Sequence, residues 1–208
     1  MDVALSILTV DYSDVKKSLE NVIDSVDYIH LDVMDGEFVD NIACSYDSIK
    51  DYLDNYNYDV HLMVTNPRKY IDEFKLINPK YITFHVETSD VLDNINYLKS
   101  LGIKAGLAIN PETDLSKLTP YLDKVDLVLV MSVKPGHGGQ EFITNSIDRI
   151  NTLYEYRTNN NLNYMISVDG GINASTIKYV DKCDIAVSGS YVVNNDNVDE
   201  ALNVLRGV

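Results

Sequence analysis

The sequence is poor in several features that mark whole classes of protein. Its 208 residues include only 17 Lys and Arg against 32 Asp and Glu, which gives a formal net charge of −15. No basic patch interrupts this acidic balance, so we expect binding to neither nucleic acid nor an anionic membrane surface. An anionic substrate would meet a repulsive average field. A phosphate site must therefore depend on local dipoles, backbone N–H groups or a bound metal.

Cysteines and long apolar runs are also scarce. Cys44 and Cys183 lie far apart and form no CxxC motif, so we expect them to remain reduced thiols. The N-terminal stretch lacks the basic region of a signal peptide, and no apolar run approaches the length of a membrane span. A Walker A pattern is missing as well, so nucleotide hydrolysis has no support. These absences predict a cytoplasmic protein.

What the sequence does contain is an alternation of short apolar runs with longer amphipathic segments. The runs are continuous and rich in β-branched residues, which is typical of buried strands. They are Val3–Thr9, Tyr28–Met34, Tyr58–Val64, Tyr81–Val86, Lys104–Ile109, Leu127–Ser132, Tyr164–Val168 and Ile185–Ser188. Strands that alternate with helices favour parallel pairing, and eight such units predict a closed α/β barrel, the (β/α)8 TIM barrel. We expect one domain over residues 1–208.

The segments between these runs fit helices. They are Ser13–Asp24, Ser45–Leu53, Pro67–Leu76, Ser89–Ser100, Asp114–Leu122, Ser146–Thr158, Ala174–Asp181 and Asn197–Leu205. Ser13, Ser89 and Ser146 are predicted N-caps, and Pro67 suits the first turn of a helix.

In a TIM barrel the chemistry lies at the C-terminal ends of the strands, and polar side chains occur there in this sequence. The most informative stretch is Tyr28–Asp40. Side chains two apart on a strand share a face, so His30, Asp32 and Met34 point the same way. An unpaired buried carboxylate is costly, so this pattern requires a partner such as a cation. The alternative is a His–Asp hydrogen bond inside an ordinary core.

Further ligand-type side chains lie at the ends of two other predicted strands. They are His61 on the third and Asp169 after the seventh. Together the two imidazoles and two carboxylates suit Zn²⁺, Fe²⁺, Mn²⁺ or Co²⁺ better than Ca²⁺ or Mg²⁺. Taken singly, His61 fits a core histidine and Asp169 fits a turn cap. The agreement of four residues with one rim of one barrel favours a single metal ion.

Glycine-rich turns follow the sixth, seventh and eighth predicted strands. Glycine lets backbone N–H groups approach an anion without a Cβ in the way, and these loops are a frequent phosphate site in barrels. We therefore predict a neutral backbone cradle for a phosphate. Its residues would be Gly136, Gly138, Gly139, Gly171, Gly189 and Ser190, and we count His137 and Gly170 as substrate-binding with them. A single glycine turn would prove little, because any sharp strand exit needs one.

Taken together, these motifs resemble the ribulose-phosphate 3-epimerase family. The matching stretches are Leu5-Ser-Ile-Leu8, His30-Leu-Asp-Val-Met-Asp-Gly36 with Phe38-Val39, His61-Leu-Met63, Ala105-Gly-Leu-Ala108 with Asn110-Pro111, Met131-Ser-Val133 with Pro135-Gly136 and Gly138-Gly-Gln140, and Val168-Asp-Gly-Gly-Ile172. They follow the family's order along essentially the whole chain. Two departures are His137, where the family usually has Phe, and Asp40, where it usually has Pro.

The resemblance implies a barrel that holds one divalent ion through His30, Asp32, His61 and Asp169. It also implies a small sugar-phosphate substrate on the glycine loops, with Ser6 and His61 near its hydroxyls. The expected reaction inverts C3 of a ketose phosphate, D-ribulose 5-phosphate to D-xylulose 5-phosphate. The family also suggests a homo-oligomer.

Inversion at a carbon next to a ketone needs a base on one face and an acid on the other. Asp32 and Asp169 would form that pair and share one proton, and the ion would stabilise the enediolate. The side chains of Met34, Met63 and Met131, by default core residues, would form an apolar cap that excludes water.

Two alternatives remain open at this point. A 3-epimerase that acts on a hexulose phosphate such as D-allulose 6-phosphate would share the barrel, the metal and both aspartates. From a different class, a barrel could bind a sugar phosphate without catalysis, although such a protein has no need of two opposed carboxylates. A purely structural metal lacks support, since the sequence has no closed Cys/His set.

Overall fold

The β-branched runs of the sequence form the wall of a barrel in the computed structural model, which describes residues 1–8, 22–50 and 56–207. The strands are β1 (Asp2–Ser6), β2 (Tyr28–Asp35), β3 (Ile42–Ala43), β4 (Tyr58–Met63), β5 (Tyr81–His85), β6 (Lys104–Ile109), β7 (Leu127–Met131), β8 (Met165–Asp169) and β9 (Ile185–Ser188). Strand β1 pairs in parallel with both β2 and β9, which closes an eight-stranded barrel. The predicted TIM barrel is confirmed, and among the described strands only β3, a short antiparallel addition to β2, was not predicted.

Most of the predicted helices are present on the outside of this barrel. The described α-helices are α1 (Tyr46–Ile49), α2 (Pro67–Phe74), α3 (Val91–Ser100), α4 (Asn145–Asn159), α5 (Ser190–Val193) and α6 (Val198–Arg206). As predicted, Pro67 occupies the first turn of α2. The predicted helix Ser13–Asp24 and its cap Ser13 lie mostly outside the described residues, as do residues 51–53 of the predicted Ser45–Leu53 helix. Across the described part of the chain, none of the helices has the length and apolarity needed to cross a bilayer.

Two predicted helices are wrong, because side chains and a proline compete with the helical backbone pattern. Residues 114–122 form only two short 3-10 turns, since Asp114 caps the first turn and Pro120 has no N–H to donate. Residues 174–181 form one short 3-10 turn. There the side chain of Asn173 accepts from the backbone N–H of Ser175, while Thr176 Oγ1 donates to the carbonyl of Gly171.

Two predicted caps are also wrong. The N-cap of α3 is Asp90, which has a left-handed φ of 56°, rather than Ser89. The N-cap of α4 is Thr144, and Ser146 lies inside the first turn, where its hydroxyl donates to the carbonyl of Ile143. In both helices a serine close to the N-terminal boundary donates a hydrogen bond to a nearby residue instead of capping the helix.

The packing separates an outer core from the barrel interior. Outward-facing strand residues form one large apolar cluster with the helices, and it includes Leu31, Leu62 and Phe84. Alternate residues point inward, where the polar side chains His30, Asp59, His61 and Thr83 are buried. The barrel interior therefore contains a polar layer below its open end.

We predict that Gly106→Ala destabilises the barrel. Register pairs Gly106 with Thr83, and a Cβ at 106 would lie 2.1 Å from Thr83 Oγ1 and 2.9 Å from its Cβ. Overpacking of this kind costs about 1–3 kcal/mol, measurable as a fall in the free energy of unfolding in urea.

The double variant with Thr83→Ala is the matched control. Thr83 Oγ1 is buried without a hydrogen-bond partner, so its removal breaks no bond and relieves the closest contact. The two changes should therefore be less than additive, and strict additivity would contradict the packing argument.

Candidate metal and substrate site

Strand register brings together four metal-ligand side chains at the C-terminal end of the barrel. Parallel pairing of β2 with β4 sets Asp32 opposite His61, and Asp169 ends β8 on a different part of the wall. One candidate ligand atom from each of His30, Asp32, His61 and Asp169 lies within 4.8 Å of the other three. The first three residues are buried, and Asp169 is partly exposed. The structure thus collects residues that are up to 139 positions apart in the chain, from 30 to 169.

The distances and chemistry of this group fit a divalent transition-metal ion. His30 Nε2 lies 3.4 Å from Asp32 Oδ1 and 3.9 Å from Asp169 Oδ2. His61 Nδ1 lies 3.2 Å and 3.7 Å from the same two oxygens. Ligands about 2.1 Å from a common tetrahedral centre are about 3.4 Å apart. In addition, His30 Nε2 is a buried nitrogen without a hydrogen-bond partner, as a ligand atom would be.

The orientation of His30 is fixed by a residue that sequence reasoning missed. Asp59 Oδ2 lies 2.8 Å from His30 Nδ1, and both side chains are buried. A proton on Nδ1 that is donated to Asp59 leaves the lone pair of Nε2 directed at the two carboxylates. The signal was available, because Asp59 precedes His61 by two positions and so shares its face of the strand.

The two aspartates occupy unequal environments. Burial disfavours the charge of Asp32, but the neighbouring imidazoles of His30 and His61 outweigh it and hold the pKa well below its usual range. Ser6 Oγ also donates to Asp32 Oδ2 over 2.7 Å. Asp169 has fewer compensating partners. Burial and the nearby charge of Asp32 raise its pKa to about 7. Burial lowers the pKa of His61 to about 4, so this imidazole is neutral at pH 7.

A cavity of about 540 Å³ opens above the two aspartates. With the exception of His61, all the residues predicted to bind substrate or line the site lie in the wall of this cavity. They are Ser6, Met34, Met63, Met131, Gly136, His137, Gly138, Gly139, Gly170, Gly171, Gly189 and Ser190. His61 differs, because it is completely buried and does not line the cavity. The geometry therefore supports the ligand role predicted for His61 but not the predicted contact with sugar hydroxyls. Sequence reasoning missed the polar lining residues Asn173, Ser175, Tyr191 and Asn194.

The glycine loops are tied together at the strand ends. Ser132 Oγ, just after β7, donates to the carbonyls of Asp169 and Gly170 at the end of β8. Gly170 has a φ of 120°, and a Cβ there would lie 2.4 Å from Val133 Cγ2. Gly171 has a φ of 66°, and its Cβ would lie 2.7 Å from the backbone nitrogen of Phe142. Only glycine permits this close approach of the two loops.

Comparison with known proteins agrees with the geometry. The model of the ribulose-phosphate 3 epimerase family matches residues 2–193. A ribulose-phosphate 3-epimerase from Aquifex aeolicus is 35% identical over 211 residues, which covers 99% of this chain and 95% of the relative. One from Buchnera aphidicola subsp. Schizaphis graminum is 37% identical over 195 residues, which covers 91% of this chain and 83% of the relative.

Solved structures share the fold at much lower identity. A 3-hexulose-6-phosphate synthase from Salmonella typhimurium has a TM-score of 0.72 at 18% identity, with 100% of this chain and 97% of that chain covered. A 3-keto-L-gulonate-6-phosphate decarboxylase from Vibrio cholerae has a TM-score of 0.75 at 13% identity, with 99% and 95% covered. These two likenesses establish the barrel and nothing more specific.

The geometry predicts that the protein binds one transition-metal ion per chain. Because the ion would bind the folded state alone, it should stabilise that state, by about 2.7 kcal/mol at 100 times its dissociation constant. Titration of chelator-treated protein with Zn²⁺, Mn²⁺ or Co²⁺, followed by thermal unfolding, measures both effects.

His30→Ala should abolish the response, whereas His137→Ala, which changes an exposed cavity residue, should preserve it. Equal binding by both variants would place the ion elsewhere.

Proposed function

Because this chain belongs to the ribulose-phosphate 3 epimerase family, and so is an isomerase-class enzyme, we propose that it inverts C3 of D-ribulose 5-phosphate to give D-xylulose 5-phosphate. The observation that carries this proposal is the placement of two carboxyl groups at the floor of one cavity. Asp32 and Asp169 come from strands that are separated around the barrel by β1 and β9. They can therefore approach a flat substrate from different directions.

In this proposal the two aspartates transfer the protons. One carboxylate removes the proton from C3, and the electron pair of the C–H bond forms a C2–C3 double bond while negative charge moves to the carbonyl oxygen. The other carboxyl group then delivers a proton to the opposite face of C3, and the carbonyl re-forms. After one turnover the first aspartate holds a proton and the second has lost one, so proton exchange between them or with solvent restores the starting state, and the reverse reaction exchanges their roles.

Several residues prepare Asp32 and Asp169 for this work. The hydroxyl of Ser6 donates to Asp32 Oδ2 over 2.7 Å, which restricts the orientation of this carboxylate. Met34 and Met63, packed together with Val39, cover the floor of the cavity and exclude water from the reacting carbon.

The four side chains of metal-ligating type would also hold an ion that stabilises negative charge. A divalent ion held by His30, Asp32, His61 and Asp169 would act as a Lewis acid on the developing oxyanion, an effect worth several kcal/mol. The buried, unpartnered His30 Nε2 supports this assignment, and the mixed N/O donor set favours Zn²⁺, Fe²⁺, Mn²⁺ or Co²⁺.

We further propose that the phosphate of the substrate lies on the glycine loops at the other side of the cavity. With a net charge of −15, the protein as a whole repels a dianion. Backbone N–H groups of glycine turns can bind phosphate without added positive charge. Gly138, Gly171 and Gly189 come from three successive loops and line the same cavity, which supports a shared cradle.

A direct test is C3 epimerisation by the purified protein with D-ribulose 5-phosphate in deuterated water. Two-base inversion should place one solvent deuterium at C3 of the product. The kcat/KM for D-ribulose 5-phosphate should also be well above that for D-allulose 6-phosphate. Bound substrate without conversion or exchange would refute the proposal. A preference for the hexulose phosphate would retain the chemistry but replace the substrate.

We predict that Asp32→Asn and Asp169→Asn each lower kcat by about 10²–10⁴-fold, the usual contribution of a general acid or base. Asparagine keeps the shape of aspartate but can neither take nor return the proton. Steady-state assays should be made at matched metal content, because both residues belong to the four-residue group. Asp40→Asn, a neutralisation on an exposed loop, is the control and should keep kcat. Near-normal turnover in either active-site variant would remove that aspartate from the mechanism.

For the phosphate cradle we predict that Gly138→Asp raises KM far more than it lowers kcat. An added carboxylate repels the phosphate but lies away from the reacting carbon. Gly138→Asn adds nearly the same volume without charge and isolates the electrostatic part. A KM that is the same in the two variants would show that charge at this loop does not matter to the substrate.

A further inference from the structure

We propose that Glu87 and His85 are positioning residues that fix the tautomer of His61 and so determine how tightly the site binds its ion. This inference rests on the proposed function, because it assumes that His61 is a ligand. It concerns two side chains that neither line the cavity nor belong to the four-residue group.

The three residues form a continuous chain of contacts from the loop after β5 to the candidate metal site. His61 Nε2 lies 2.9 Å from His85 Nε2, and both imidazoles are completely buried. On the far side of the second ring, His85 Nδ1 lies 3.2 Å from Glu87 Oε2. The chain ends on a carboxylate whose other oxygen, Oε1, accepts from the backbone N–H of Asn110 over 2.9 Å.

One condition sets the position of every proton in this chain. To bind an ion, His61 Nδ1 must present a lone pair, so the single proton of the neutral ring must be on Nε2. That N–H points at His85 Nε2, which must then accept and carry no proton. His85 therefore has its own proton on Nδ1, where Glu87 accepts it. Each assignment follows from the previous one, and the carboxylate completes the chain.

Without this chain the opposite tautomer of His61 would be favoured. Asp32 Oδ1 lies 3.2 Å from His61 Nδ1 and is a ready acceptor for a proton there. A proton in that position would block the nitrogen that the ion needs. An acceptor on the other side of the ring is thus required to hold the proton on Nε2, and His85 is that acceptor.

The terminal carboxylate is suited to this task. Burial disfavours the charge of Glu87, but hydrogen bonds from His85, from Thr113 and from the backbone of Asn110 hold its pKa below the usual range. An ionised acceptor keeps the proton of His85 on Nδ1. If that proton moved to Nε2, two N–H groups would face each other across 2.9 Å. The ring of Phe38 packs on His85 with the centroids 4.7 Å apart and keeps water from acting as a substitute.

The other histidine of the site shows the same principle in a shorter form. His30 has a carboxylate, Asp59, directly on its Nδ1. His61 binds through the opposite ring nitrogen, so its supporting carboxylate must lie farther away, and His85 bridges the gap. Partners of this kind typically change metal affinity 10–100-fold when removed.

The first test is a metal titration of chelator-treated protein with Co²⁺ or Zn²⁺. We expect His85→Leu and Glu87→Ala each to raise the dissociation constant 10–100-fold. His85→Gln should be milder, because its side-chain carbonyl accepts from His61 without help from Glu87. In the His85→Gln background, Glu87→Ala should therefore have no further effect. Thr88→Ala is the control, since it removes a hydrogen bond in the same loop, from Thr88 Oγ1 to the carbonyl of His85, and leaves the chain intact.

The coupling between the two positions separates a proton chain from mere packing. If Glu87→Ala weakens binding equally in the wild-type and His85→Gln backgrounds, the chain is refuted and Glu87 acts through the loop alone. This comparison needs only the milder variants, so it remains decisive if His85→Leu fails to fold.

Imidazole ¹⁵N spectra of the Zn²⁺-loaded wild-type protein give a second readout that is independent of activity. His61 should show a protonated Nε2 and a metal-bound Nδ1, and His85 a protonated Nδ1. A protonated Nδ1 on His61 would overturn the inference. The outcome that refutes the proposed metal site is different, namely a wild-type protein that binds no ion. If the wild-type protein binds the ion and His85→Leu and Glu87→Ala bind it with unchanged affinity, the proposed role of His85 and Glu87 is refuted and the metal site is not.

Discussion

The site depends on placing two aspartates, one buried and one partly exposed, beside two buried histidines, because each of these groups is costly to remove from water without a partner. Asp32 accepts a hydrogen bond from Ser6 Oγ, and His30 Nδ1 is paired with Asp59. What remains unsatisfied is His30 Nε2, which faces the two carboxylates. The surroundings thus favour a positive charge at one point, and the proposed ion would provide it.

The barrel makes this arrangement possible through strand register. Because β2 and β4 pair in parallel, Asp32 and His61 are neighbours, and Ser6 on β1 is placed opposite His30 in the same way. Asp169 reaches the same point from β8. Backbone hydrogen bonds therefore fix the relative positions of the site residues before any ligand binds, which limits the entropy lost on binding.

Much of this could be predicted from the sequence, and the reason is periodicity. The eight parallel strands follow from their apolar runs, and the alternation in His30-Leu-Asp32 places both polar side chains inside the barrel. Boundaries and caps were less accurate, because Asn173, Thr176 and Pro120 act through local bonds that a hydrophobic pattern does not record. The partners Asp59 and Glu87 were missed for a different reason. Spacing places Asp59 on the same strand face as His61, but it does not reveal which nitrogen of a ring on another strand Asp59 contacts.

Two of the positions that depart from the family resemblance, Asp40 and His137, each adjoin the same contact between two loops. Asp40 precedes Asn41, whose side-chain Nδ2 donates to the carbonyl of Gly136 over 2.7 Å, and Gly136 precedes His137. Val39 also packs on Gly136, where a Cβ would lie only 3.2 Å from the Val39 Cβ. The exposed side chains of Asp40 and His137 therefore flank the contact that joins these loops, and His137 also lines the cavity. Because Asp32 and Asp169 lie on the strands β2 and β8, changes at positions 40 and 137 in these loops leave the strand register around the two aspartates unaltered.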